Sequence, residues 1–244
     1  LRLAEFIFAV IAVTGGAYVR GYGGFGSGLL WSSSLSIVLP PAQVVPIVFM
    51  LDLAASAQLL PKVWGDIHWR SLRWLLLGAG VAIPAGIYVL ARAGAAPIRI
   101  AIAVVVLSAT ALLWRGLALK RIPGAGAALA TGALCGLLGG AMGMSGPPAI
   151  LFYFSSPAPV TIARASIIAF FAGGDVVGIA AGAAHELVTT AVLVKTALLL
   201  PAALIGNALG NRQFIRADPQ TFRRIVLLML VALSVAVFVR ALLP

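Results

Sequence analysis

The chain has 244 residues, 62% of them hydrophobic and only 9% charged, and its mean hydropathy is +1.11. Soluble domains carry roughly a quarter charged residues, so this composition excludes a soluble fold and points to an integral membrane protein. The net charge of +11 does not argue for nucleic acid, because the basic residues cluster in short connections between apolar runs, as the positive-inside rule expects; the lipid bilayer is the expected partner.

The apolar runs are helical in length, near the roughly 20 residues a span needs, and lack the alternation of barrel strands. Leu3 to Val19 comes first and is closed by Arg20 and the glycine-rich stretch Gly21-Tyr22-Gly23-Gly24-Phe25-Gly26-Ser27-Gly28. Phe25 to Leu39 is short and serine-rich, and Pro40-Pro41 opens a third run, Ala42 to Leu60, with a polar load of Gln43, Asp52 and Gln58. The third run opens there because proline is tolerated at a helix start and not within one; Pro61 to Arg73 is then expected as a basic loop, with Trp64, Trp69 and Trp74 as interfacial aromatics. Leu75 to Ala91 and Ile98 to Trp114 are plain spans, followed by the basic connection of Arg115, Lys120 and Arg121.

The pattern then restarts. Ala125 to Leu138 leads into Gly139-Gly140-Ala141-Met142-Gly143-Met144-Ser145-Gly146-Pro147-Pro148, and Ala149 to Phe154 is again short. Val160 to Ala184 carries Arg164 and Asp175; Leu187 to Leu209 and Phe222 to Leu243 follow, with Asn211 to Arg224 expected as a basic loop between them. A shift of 118 residues superposes Gly21 on Gly139, Ser27 on Ser145, Gly28 on Gly146 and Pro41 on Pro159. The expected fold is therefore an all-α integral membrane protein, a single polytopic domain over 1–244 with repeat one at 1–118 and repeat two at 119–244.

Charge distinguishes two versions of this plan. If the short segments cross fully, each repeat has five crossings and the second copy is inverted. One side then holds Arg20, Lys62, Arg70, Arg73, Arg115, Lys120, Arg121, Arg164, Arg212, Arg216, Arg223 and Arg224, and the other Arg2, Arg92, Arg99, Lys195 and Arg240, a division of 12 against 5. If they are re-entrant, with four spans per repeat, the division is nearly even. The positive-inside rule favours five plus five, with both termini outside the cytoplasm.

The chain resembles the sulfite exporter TauE/SafE family of membrane transporters. The resemblance rests on Gly23-Gly24-Phe25-Gly26-Ser27-Gly28-Leu29-Leu30 leading to Leu39-Pro40-Pro41-Ala42-Gln43, and on Gly136-Leu137-Leu138-Gly139-Gly140 leading to Pro159. It extends to length and repeat plan, and it implies a secondary transporter of the cytoplasmic (inner) membrane, in the sense of an exporter, for a small sulfur-containing or organic anion such as sulfite or a sulfonate. Gly143-Met144-Ser145-Gly146-Pro147-Pro148 and Ser155-Ser156-Pro157 depart from the family pattern, which bears on substrate more than on fold. A small-anion channel is the alternative, and an integral membrane enzyme a weaker one.

Broken helices present free N–H groups and about half a positive charge at each N-terminus, and in a bilayer such breaks persist only where protein or a cavity satisfies them. Gly24, Phe25, Gly26, Ser27 and Gly28 in the first break, and Gly143, Met144, Ser145 and Gly146 in the second, are accordingly the expected anion-binding residues. Asp52 and Asp175 lie mid-span, where a carboxylate is costly. They do not superpose under the shift, so each is expected to act alone, either as a proton relay or as a hydrogen-bonded structural group. Arg20 and Arg164 are expected to reach for the membrane interface. His68, His185 and Cys135 have no metal-ligand spacing, and the Gly21 to Gly26 fit to a dinucleotide fingerprint lacks the strand and helix it needs. No catalytic residue, cofactor or metal is expected.

Overall fold

The computed structural model describes residues 2–92, 104, 108 and 123–216. Their helices are α1 (Leu3–Gly23), α2 (Ser27–Leu35), α3 (Pro41–Val63) with a short 3-10 turn after it (Trp64–Asp66), α4 (Trp69–Arg92), α5 (Ala125–Met142), α6 (Gly146–Phe154), α7 (Val160–Ala184) and α8 (Thr190–Arg216). No strand occurs among the described residues. Six of these helices are long and apolar enough to cross a membrane. The exceptions, α2 and α6, have nine residues each; they rise about 13 Å against a hydrocarbon core of about 30 Å. The spans expected at Ile98 to Trp114 and Phe222 to Leu243, and the connection of Arg115, Lys120 and Arg121, lie outside the described residues.

Three local expectations are corrected. The last helix, α8, continues to Arg216, so the described part of the loop expected at Asn211 to Arg224 is helical. Pro61 lies inside α3, and α4 already starts at Trp69, so the basic loop is only a tight turn; Trp64 and Trp69 are half exposed there with ring centroids 4.9 Å apart. The glycine runs are also mostly helical: Gly21, Gly23, Gly139 and Gly140 belong to α1 and α5, and the chain breaks only at 24–26 and 143–145. Gly21 and Gly140 remain helical because a neighbouring helix lies directly against their backbone, where a Cβ would strike the Asn207 and Ile83 carbonyls. Small residues thus serve as contact surfaces, as membrane helix pairs favour.

Helix direction follows from these contacts. Gly206 lies against Thr14 and Gly210 against Tyr18, so α8 runs parallel to α1. Lys195 Nζ donates to Gln43 at 2.6 Å, and Asn207 Nδ2 donates to Ala55 and Gln58, so α3 runs parallel to α8 as well. Opposite them, Gly78 lies against Leu129 and Gly86 against Leu137, which makes α5 parallel to α4. Ser166 meets His68 at one end of α4 and His185 meets Tyr88 at the other, so α7 joins that set. The two sets touch where α3 and α7 cross in opposite senses, with Phe49 against Gly178 and with Asp52 and Asp175 lining one cavity. Each has its own apolar core, one including Val13, Trp31, Leu35, Leu51 and Leu199, the other Leu75, Ile83, Cys135, Ile150 and Phe170.

The contacts of one set recur in the other. Gly210 packs on the Tyr18 carbonyl and Tyr22 amide as Gly86 packs on those of Leu137 and Ala141; Gly21 packs on the Asn207 carbonyl and Asn211 amide as Gly140 packs on those of Ile83 and Ile87. The α1-to-α5 spacing in these pairs is 119 (18 to 137, 22 to 141, 21 to 140), and the left-handed glycines after the helices, Gly24 and Gly143, share it. This is one more than the shift of 118 read from sequence.

Candidate functional site

Each break begins where a long helix ends on a left-handed glycine. Gly24 (φ 81°) returns its N–H to the Arg20 carbonyl at 2.6 Å, and Gly143 (φ 69°) returns its N–H to Gly139 at 2.7 Å. Left-handed backbone costs a non-glycine residue about 1–2 kcal/mol. After the first break α2 turns back along α1: Ser27 is level with Asp52, while Trp31 Nε1 donates to the Val13 carbonyl at 2.9 Å. The two breaks touch. A Cβ on Gly28 would sit 2.6 Å from the Gly143 carbonyl oxygen, to which Ser32 Oγ donates at 3.3 Å.

A small cavity of about 20 Å³ lies at this meeting point, lined by both breaks and by α3 and α7. It exceeds the roughly 10–15 Å³ that one water needs. The α2 N-terminus offers the N–H groups of Gly26, Ser27, Gly28 and Leu29, which have no partner within the helix. The α6 end offers fewer, only Ser145 and Gly146, because Pro147 and Pro148 have no N–H. The equal pair of helix ends expected from the sequence is therefore unequal in donors.

A buried charge cluster adjoins the cavity. Asp52 Oδ1 accepts from Ser27 Oγ at 2.6 Å and Oδ2 pairs with Arg20 at 3.2 Å. Arg20 is fully buried, donates also to Ser56 Oγ and the Gly24 carbonyl, and lies 5.2 Å from the centroid of the Phe171 ring. Asp175 lines the same cavity as Asp52, and its Oδ2 is buried with no hydrogen-bond partner among the described residues.

Of the residues singled out from sequence, Gly26, Ser27, Gly28, Gly143, Ser145, Gly146, Asp52 and Asp175 line the cavity. Gly24, Phe25 and Met144 stand away from it: Gly24 packs against Arg164, Phe25 against Phe154, and Met144 in the apolar core. The two aspartates, expected to act individually, face each other; a linear register cannot reveal this, since it arises only when α3 and α7 cross. The expectation that Arg20 and Arg164 reach the interface is overturned, both being buried. Arg20 has Asp52 as counter-ion. Arg164 caps the α1 C-terminus, donating to the Gly21 and Tyr22 carbonyls and to Asn211 Oδ1, with Phe214 against its guanidinium at 4.0 Å; a cation there opposes the negative helix end. Sequence reasoning missed Ser56 and Phe171, and Arg20's place one turn before the first break was the available signal for its role. No group of three or more histidine, cysteine or acidic residues suited to a metal occurs among the described residues.

No solved structure matches the chain significantly. The probable sulfite/organosulfonate exporter TauE of Cupriavidus necator is 29% identical over 236 residues, covering 93% of this chain and 91% of that protein. The family model described as sulfite exporter TauE/SafE matches residues 7–237, from the first helix across both breaks. A multi-pass helical membrane protein with this match over nearly its whole length belongs to the sulfite exporter TauE/SafE family of membrane transporters.

Proposed function

We propose that the protein is a secondary transporter, not an enzyme, that exports a small sulfur-containing or organic anion such as sulfite or a sulfonate across the cytoplasmic membrane, coupled to protons through Asp52 and Asp175. The observation that carries this reading is that Asp52 of α3 and Asp175 of α7 line the one cavity where both breaks meet. Ionisable groups within membrane spans mark ion and proton pathways. The anion would meet the N–H groups of Gly26 to Leu29 and the Ser27 and Ser145 hydroxyls. The name of the Cupriavidus necator relative supports the substrate class.

The recurrence of contacts at a spacing of 119, and the opposite directions of the two helix sets, support two inverted repeats. Inverted repeats that enclose a central site are a common basis for alternating access. The cavity is too small for an open pathway, which favours a carrier over a channel. Lys62, Arg70, Arg73 and Arg212 fall at the end where α3 and α8 finish, Arg2 and Arg92 at the other, so we place the former end in the cytoplasm.

The test is transport in proteoliposomes. Asp52→Asn and Asp175→Asn should each abolish accumulation driven by a pH gradient while leaving substrate exchange. Wild-type accumulation by both variants would make the carboxyls structural. Current without saturation or counterflow would make the protein a channel.

A further inference from the structure

Arg20 is the cation of the central cluster, and its guanidinium is held by Asp52. The cavity of about 20 Å³ has room for little more than a water, so an anion enters only if a lining group moves. Asp52 is the lining group that separates Arg20 from the cavity: one carboxyl oxygen faces Arg20, the other Ser27. Phe171, another lining residue, has Arg20 against its ring. An anion that met two carboxyls while Asp52 kept Arg20 would face repulsion; an anion that took Arg20 would gain a fully desolvated guanidinium. Arg20 Nε is buried with no partner among the described residues, so donor capacity is in reserve.

We infer that the transported anion displaces Asp52 from Arg20, and that Asp52 takes up a proton as it leaves. The inference rests on the transport reading above and deepens it by naming the anion's charge partner and the order of exchange. Before binding, the site holds an Arg20–Asp52 ion pair. After binding, it holds an Arg20–anion pair, with Asp52 protonated beside Asp175; the net gain is one anion and one proton. The groups facing Asp52 are Arg20 from α1, Ser27 from α2 and, across the cavity, Asp175 from α7. α8 contributes the uncharged Asn207 one turn further on. Anion and proton therefore move together. A dianion carried with one proton keeps one net negative charge, and an inside-negative potential drives that charge outward with about 2.3 kcal/mol per 100 mV.

The test is equilibrium binding of methanesulfonate, whose own charge is constant between pH 5 and 8, to the purified full-length protein. Wild type should bind more tightly as pH falls, by up to about tenfold per pH unit, the limit for one linked proton. Asp52→Asn should bind with an affinity independent of pH. Arg20→Gln alone leaves Asp52 buried without its cation, so the second arm is the double variant Arg20→Gln with Asp52→Asn, which has no stranded charge at this pair and should lose binding at every pH. Wild-type affinity in the double variant, or an undiminished pH dependence in Asp52→Asn, would overturn the exchange while leaving the transport reading intact. No methanesulfonate binding by wild type at any pH would overturn the substrate reading itself, and the exchange with it.

Discussion

Gly143→Ala probes the junction of the two breaks with a single methyl group. Gly143 has φ 69°, and its added Cβ would lie 2.6 Å from Ser32 Oγ. The left-handed conformation costs alanine about 1–2 kcal/mol. Ser32 must turn away, and its bond to the Gly143 carbonyl, 3.3 Å long, contributes about 0.5–1.5 kcal/mol. The total is about 1.5–3.5 kcal/mol, a shift of roughly 10- to 300-fold in the balance between this arrangement of the breaks and its alternatives. Sulfite flux into proteoliposomes should fall by at least tenfold, alongside a lower unfolding temperature in detergent. Gly126→Ala is the control, because nothing lies within 4 Å of its added Cβ and alanine favours an exposed helix. Equal flux and equal unfolding temperature in Gly143→Ala and Gly126→Ala would refute the argument that the left-handed glycine holds the break in place.

Gly26→Val should abolish transport in protein that still inserts, because Gly26 has φ 96° and its Cβ would meet Val19 at 2.9 Å; flux normalised to inserted protein checks this. Arg164→Gln should lower the unfolding temperature in detergent, since charged hydrogen bonds to Gly21, Tyr22 and Asn211 are weakened or lost and each contributes about 1.5–3 kcal/mol; an unchanged temperature would contradict the capping role. Cysteines placed at Arg73 and Arg212 should resist an impermeant thiol reagent in intact cells, whereas one at Arg92 should react. Rapid labelling at the first two would reverse the proposed orientation.

The membrane class, the short helices and the two breaks were legible in the sequence because each has a local cause: apolar length, glycine that permits left-handed backbone, proline that starts a helix. Val160 to Ala184 was read with its observed ends. Helix extent was misread where tertiary packing overrides propensity, as at Gly21 and Gly140, whose missing side chains admit a neighbouring backbone. The spacing of 119 emerges only from which atoms touch. Arg20 and Arg164 looked like interface residues because sequence gives their position along a helix and not what lies beside it; α3 and α8 supply the counter-ion and the amide that keep them buried. The meeting of Asp52 and Asp175 at one cavity likewise depends on a helix crossing that joins residues more than 100 positions apart in sequence.

The central claim, that the anion is bound where the two breaks meet, is tested most directly by counterflow of radiolabelled sulfite with the double variant Ser27→Ala, Ser145→Ala. Each hydroxyl hydrogen bond to a charged group contributes about 1.5–3 kcal/mol, so the apparent affinity should weaken by at least tenfold, while a double variant at the exposed Trp64 and Trp69 should keep the wild-type value. A wild-type affinity in the serine double variant, with the loss appearing instead in the tryptophan variant, would contradict the account and make the breaks packing devices.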